Sequence, residues 1–237
     1  MSPTPKQSPP GKAATITCMC GRVKLTVPNA VPKFRSGCCC SECLQRAYIG
    51  CKGKPPKGLA NLEEPVDLLY IDSQFMPPGP DTMANLAVFK LNGADAANIN
   101  LRATCCGAVL CTENQEFHIP HTMATFNNLR PFLKCEFSAL PASKVNVFTK
   151  DWPEEKRRAL AAKETSARGS ALPQIPDPRA ALEEPPIVEL IAAMQAEAQT
   201  AADNSISFAQ LCDGLEMTID SAFLREARAH LASTGSK

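Results

Sequence analysis

The sequence of 237 residues has no run of about 18 apolar residues, so no membrane-spanning helix is expected. Its first twelve residues, Met1 to Lys12, are polar and proline-rich, without the apolar centre of a secretory signal. With no route into an oxidising compartment its thiols are expected to stay reduced, in a soluble, cytoplasmic protein. A glycine-rich phosphate loop is missing, and no Ser, His and Asp form a nucleophile elbow, which sets aside two common catalytic classes. Aromatics are few, at 5%, and are not interleaved with the lysines as in single-strand binders, so nucleic acid is not an expected partner. There is no internal repeat.

The near-zero net charge conceals a gradient. Residues 1–60 carry ten Lys and Arg against Glu42 alone, whereas residues 151–237 carry nine basic against fourteen acidic residues. A basic amino-terminal portion of this kind can attract an anionic small molecule, nucleic acid or the chain's own acidic tail, the nucleic-acid reading being the least expected of the three.

Hydrophobic periodicity divides the chain. Ile16, Cys18 and Cys20 share one parity and Val23, Leu25 and Val27 the other, predicting a strand, a turn at Gly21 and a second strand. A strand is expected from Pro32 towards Cys38, a short helix over Leu44 to Tyr48, and a loop over 51–58. Further strands are expected over Val66 to Asp72, Leu86 to Leu91, Ile99 to Thr104, Ala108 to Cys111 and Met123 to Phe126. Short strands with closely spaced turn signals predict an antiparallel β domain over 14–148, preceded by a disordered 1–13. Residues 149–237 read as a helical extension. Asp151 is expected to cap a helix that starts at Trp152-Pro153, and a proline-rich linker occupies 172–186. Ile187, Leu190, Ile191 and Met194 then form one helical stripe. Phe208, Leu211, Leu215, Ile219 and Phe223 predict a last helix ending near Leu231. These helices need a partner surface, most simply each other or the β domain, with a second copy or another protein as further candidates.

What the sequence has in quantity is cysteine, twelve in all, largely in three short clusters: Cys18-Met-Cys20, Cys38-Cys39-Cys40-Ser-Glu-Cys43 and Cys105-Cys106. Thiolates one or three residues apart can converge on one cation, whereas neighbouring cysteines make strained disulfides. The spacing therefore predicts zinc. Cys18 and Cys20 require two further thiolates, which a second hairpin carrying Cys105 and Cys106 can supply. Cys38, Cys40 and Cys43 can hold a second ion alone. Cys39 on an extended strand points away from its neighbours, while Cys51, Cys111, Cys135 and Cys212 read as core or loop thiols. His118 and His121 have metal-ligand spacing, but Pro120 between them prevents a helical pair.

These motifs, Cys18-x-Cys20-Gly21-x-Val23, Cys38-x-Cys40-x-x-Cys43 and Arg102-x-x-x-Cys106-Gly107-x-x-Leu110, resemble the glutathione-dependent formaldehyde-activating enzyme and centromere-protein-V family over about residues 15–130. The resemblance implies a mainly β fold, the β-tent, carrying zinc. It implies a structural zinc on Cys18, Cys20 and Cys106, and a substrate-side zinc on Cys38, Cys40 and Cys43. Family enzymes are carbon–sulfur lyases that combine formaldehyde with glutathione, while related chromosomal proteins organise chromatin and microtubules. This chain departs from the pattern at Ala103, which stands where the family has a cysteine, so the fourth structural ligand is Cys105 or Cys111.

If the chain is such an enzyme, zinc at Cys38, Cys40 and Cys43 offers an open position to a thiol or a carbonyl oxygen. Arg35, Arg46 and Lys52, near in sequence, are then expected to offset the charge of three thiolates or to bind glutathione's carboxylates. The alternative is a non-catalytic zinc scaffold that docks partners through its basic face and helical tail.

Overall fold

In the computed structural model, which describes residues 13–114, 122–196 and 204–234, the first strand, β1 (Ala14–Cys18), buries every second side chain. Its partner β2 (Lys24–Val27) runs antiparallel to it, with Ile16 opposite Leu25. Gly21 closes the turn at φ +78°, a left-handed conformation that glycine adopts without steric cost. Then follow β3 (Phe34–Cys38), α1 (Ser41–Gly50), α2 (Lys57–Ala60), β4 (Val66–Asp72), β5 (Gln74–Phe75), α3 (Pro80–Met83) and β6 (Leu86–Phe89). The hairpin β7 (Asn98–Ala103) and β8 (Val109–Asn114) leads to β9 (Thr122–Phe126), β10 (Leu133–Glu136) and β11 (Asn146–Val147). The remainder holds α4 (Glu154–Arg168), β12 (Gln174–Ile175), α5 (Pro185–Gln195), β13 (Ile206–Ser207), α6 (Phe208–Cys212), β14 (Met217–Thr218) and α7 (Ala222–Thr234).

The described chain is thus mainly β, with helices concentrated towards its end. A small antiparallel sheet has the order β10-β1-β2, and a nine-stranded sheet the order β12-β11-β3-β4-β9-β8-β7-β6-β14; β13 pairs with β5. The large sheet is not purely antiparallel. The pairs β11–β3, β11–β12 and β14–β6 are parallel, because short strands from late in the chain are laid along both its edges. Those edge strands satisfy backbone groups that would otherwise face solvent.

Two expectations for the tail are corrected. The predicted last helix is broken: Gly214 has φ +78°, α6 ends at Cys212, and the chain crosses the sheet edge as β14 before α7 begins. Ile219, counted in the apolar stripe, is exposed. Asp151 does not cap α4, whose N-cap is Pro153 with no side-chain hydrogen bond. Its carboxylate instead accepts the backbone N–H of Ser41, at the start of α1, at 3.0 Å.

Phe75, Phe89, Phe126 and Phe208 are fully buried in the core, each contributing on the order of 2–3 kcal/mol by removal from water. Helix α1 is held from two sides, by β8 beneath it and α7 above it. The Tyr48 ring stacks on His230 at 4.3 Å, and Leu224, Ala227 and Leu231 of α7 are buried. The helix whose start carries Cys40 and Cys43 is therefore fixed in place.

Candidate metal centres and the adjoining cavity

The first and third cysteine clusters meet across two hairpins. Cys18 ends β1, and Cys20 lies in the turn that follows. Cys105 and Cys106 lie in the β7–β8 turn, which Gly107 closes at φ +80°. Beside that turn a bulge leaves Leu110 as an extra residue, since Leu101 is opposite Cys111 but Arg102 is opposite Val109. A bulge bends its strand and redirects the residues beyond it. The four sulfurs lie within 4.8 Å of one another. Cys20 and Cys105 are 3.3 Å apart, Cys18 and Cys20 3.6 Å, and Cys18 and Cys105 3.8 Å. A tetrahedral ion with metal–sulfur bonds of about 2.3 Å needs sulfurs roughly 3.8 Å apart, so the donor set suits zinc with little adjustment.

Cys105, rather than Cys111, completes this group. Cys111 is fully buried on β8 and stands outside it. The neighbouring Cys105 and Cys106 both reach the centre because the tight turn between Ala103 and Ala108 swings the backbone around. Ala103 N–H bonds Ala108 O at 2.8 Å, and Gly107 N–H bonds Ala103 O at 2.8 Å. The Val23 N–H points at the Cys18 sulfur at 3.3 Å. Cys20 is lowered to about 7, first by the backbone N–H of Arg22 and then by Cys105, while burial raises Cys18. A divalent cation would displace whatever protons these thiols hold, since metal binding takes thiolates. Since β1 belongs to the small sheet and β7–β8 to the large one, an ion here joins the two.

The middle cluster is built on a strand end and a helix start. Cys38 ends β3, and Cys40 is the N-cap of α1. The Cys40 sulfur accepts the Cys43 N–H at 3.3 Å. Cys38 and Cys40 sulfurs are 3.3 Å apart, and all three lie within 4.8 Å. Cys43 is held well below the ordinary thiol range, first by hydrogen bonds from Cys38 and Cys40 and then by Arg46. Cys40 is pushed up to about 12; donation from Cys38 works against that rise, but Cys43 and burial outweigh it.

Arg46 lies one helical turn beyond Cys43, and each of its three guanidinium nitrogens donates a hydrogen bond. It donates to the Cys43 sulfur at 3.3 Å, to Asn100 Oδ1 at 2.6 Å and to Glu42 at 2.8 Å. Asn100 is fully buried and donates in turn to Phe89 O at 3.0 Å. Glu42 also accepts from Asn92 at 2.6 Å and from Asn98. Nothing in the spacing of cysteines reveals this amide-rich support, although the Glu42–Arg46 separation of four residues does mark a helical ion pair.

Arg35 and Lys52 lie away from this cluster. Arg35 is three residues before Cys38 on a strand, so its side chain leaves by the opposite face, where it binds Asp67 through two bonds of 2.7 and 2.8 Å. Lys52 follows the end of α1 with φ 51° and is exposed. A Cβ built on Gly107 would lie 3.8 Å from its side chain, which places it beside the four-cysteine turn. Cys39 and Cys51 are buried outside both groups, and Cys135 and Cys212 are half-buried. His118 and His121 fall outside the described residues.

A cavity of about 540 Å³ opens beside the three-cysteine group, with Cys38, Cys40 and Cys43 in its wall. The sheet contributes Leu68, Tyr70 and Met123, and the segment before and within α5 covers the other side with Leu182, Ile187, Leu190, Ile191 and Met194. Helix α5 is pinned at its C-terminal end: Lys33 donates to Ala196 O at 2.6 Å, and Thr122 donates to Met194 O at 2.5 Å. A cation at that end also suits the helix dipole. Lys33 itself pairs with the buried Asp72 at 2.9 Å. The region read from its prolines as a linker thus forms a cavity wall, and the apolar stripe of α5 finds its partner there. None of the four cysteines of the other group lines this cavity.

The two groups are close enough to hold metal ions and are compatible with zinc. No protein-family model matches the chain, and no curated protein matches its sequence at a significant level.

Proposed function

We propose that this chain is a zinc protein of the glutathione-dependent formaldehyde-activating type, a carbon–sulfur lyase acting on a thiol–aldehyde adduct within a β-tent-like fold. The single observation that carries this reading is the asymmetry between the two sulfur groups. Four sulfurs close around one centre between two hairpins, while three sulfurs leave one side facing a cavity. Closed four-thiolate sites are structural, and a three-ligand site with an open position is the arrangement of catalytic zinc.

In this reading Cys18, Cys20, Cys105 and Cys106 hold the structural ion, and Cys38, Cys40 and Cys43 hold the second. Bound there, zinc would supply Lewis acidity towards an adduct's oxygen or sulfur. The reaction breaks the C–S bond of a hemithioacetal, R–CH(OH)–S–R′, with the bonding pair going to sulfur. The hydroxyl proton leaves oxygen and ends on the released thiol, giving aldehyde and thiol with no change of oxidation state; the reverse makes the adduct. Arg46 offsets the negative charge that three thiolates concentrate around one ion, because its guanidinium donates to Cys43 while fully desolvated. Asp151 fixes the start of α1 through Ser41 and so holds the Cys40–Cys43 turn. Tyr70, raised by burial and then by Cys38, keeps its proton and lines the cavity as a neutral hydroxyl.

The test is exchange spectroscopy on formaldehyde with glutathione, which follows adduct formation and breakdown directly. The zinc-loaded protein is expected to exceed the spontaneous rate and Cys43→Ser to return to it. Unchanged exchange in Cys43→Ser would remove the middle cluster from the chemistry.

A further inference from the structure

The cavity beside the middle cluster has a composition that bears on which adduct it takes. Its far wall is the α5 stripe, Ile187, Leu190, Ile191 and Met194, faced by Leu68 and Met123 of the sheet. The cations along its lining are already committed. Arg46 serves Cys43, Asn100 and Glu42, Lys150 pairs with Asp177, and the Arg179 guanidinium lies 5.9 Å from the centre of the Phe148 ring. Asp95 and Asp151 add carboxylates to the same lining, which leaves the side chains one negative charge in excess before any thiolate is counted. Glutathione carries two carboxylates and one ammonium. This lining therefore adds nothing to its hold on the adduct where a dedicated glutathione site would place cations, and a glutathione adduct turns over as a weakly bound one. An uncharged hydrocarbon body, by contrast, gains from the stripe roughly a four-fold tightening for each methylene it buries.

Resting on the lyase reading of the same site, we infer that the physiological adduct is uncharged and apolar: the hemithioacetal of an aliphatic or aromatic aldehyde with a small neutral thiol, its hydrocarbon part against α5. The volume of about 540 Å³ is within the range of small-molecule sites and exceeds the need of formaldehyde itself. Helix α5 is then the specificity-determining element, and Ile191 is one of its two half-buried contacts at the cavity wall, with Met194.

The test uses binding of non-reacting thioethers to the full-length zinc-loaded protein by calorimetry. Ethyl, butyl and hexyl 2-hydroxyethyl sulfide form the apolar series, and S-methylglutathione the charged comparison. Affinity is expected to rise by about fifteen-fold with each two-carbon step that is fully buried, and the hexyl compound to bind at least ten-fold more tightly than S-methylglutathione. Ile191→Asp is expected to weaken the hexyl compound at least ten-fold, while Val188→Asp, on the exposed outer face of the same helix, leaves it unchanged. A flat chain-length series, a preference for S-methylglutathione, or equal effects of the two substitutions would each overturn the inference. The series needs only the unsubstituted protein, so misfolding of a variant does not blunt it. Hexyl binding without hemithioacetal turnover would sustain the apolar site and sink the lyase, whereas turnover with a preference for S-methylglutathione would do the reverse.

Discussion

Replacing Arg46 with methionine isolates what the buried guanidinium does for the middle cluster. Methionine keeps the aliphatic stem but removes the fork, and the Arg46 side chain is only 3% exposed. Three bonds are lost, to Cys43, Asn100 and Glu42. Asn100 is fully buried and would lose the donor to its Oδ1, a cost of about 1–3 kcal/mol. The Cys43 thiolate would lose its nearest full positive charge in a desolvated setting. Glu42 suffers less, since its side chain is a quarter exposed and Asn92 and Asn98 still donate to it. The sum is a loss of about 3 kcal/mol, towards the lower end of what breaking a buried ion pair costs. For a chain of this size that corresponds to a fall in Tm of roughly 6–12 °C. Urea unfolding of the metal-loaded protein measures the loss, and a chromophoric chelator measures metal release. The variant is expected to release one ion readily and keep the other. Arg46→Lys should recover only part of the loss, because an ammonium cannot serve three partners in the fork geometry. A loss below about 1 kcal/mol with both ions retained would refute the role assigned to this guanidinium.

Cys105→Ser should remove one metal ion and lower Tm by more than 10 °C, on the order of what a structural zinc supplies, whereas Cys111→Ser should leave metal content unchanged; elemental analysis with calorimetry separates them. Glu113 is raised above its usual range by burial, so its ionised form is held at a cost. Stability from its protonated form is present below the unfolded value and is lost as pH rises through the folded one. Glu113→Gln should therefore raise Tm at pH 7, with the gain vanishing near pH 4; a gain that persisted at low pH would contradict the assignment. Gly37→Ala would bring its Cβ to 2.1 Å from Asn146 Oδ1 and 2.6 Å from Pro65 Cγ, on the strand that delivers Cys38. A loss of roughly 2 kcal/mol in denaturant unfolding is expected, and a neutral result would mean that β11 yields freely.

Much of the site was legible because metal-ligand spacing is a local property. Cys18 and Cys20 sit two apart on a strand and turn, and Cys40 and Cys43 span one helical turn, so each pair's convergence follows from backbone geometry. Arg46 was named only for its nearness in sequence, and it is helix α1 that brings it one turn beyond Cys43. Arg35 was open to misreading because nearness in sequence was weighed without parity: three residues back on a strand is the opposite face. Cys105 could not be chosen over Cys111 from spacing, since the choice depends on how the β7–β8 turn bends. The α5 stripe was read correctly as an apolar face, but what it covers depends on the distant anchors Lys33 and Thr122. Residues 208–231 read as one helix because Leu211 and Leu215 keep a helical spacing across Gly214, whose positive φ ends it. Asp151 was assigned to the nearest helix by sequence when the N–H it meets belongs to Ser41, 110 residues earlier.

The account stands on two separate sulfur-bound ions, one closed and one open. Native mass spectrometry of the purified chain counts them directly. Two zinc ions per chain are expected, falling to one in Cys43→Ser and to one in Cys105→Ser. A chain that carries no metal, yet unfolds at the same temperature before and after chelation, would contradict the account at its base.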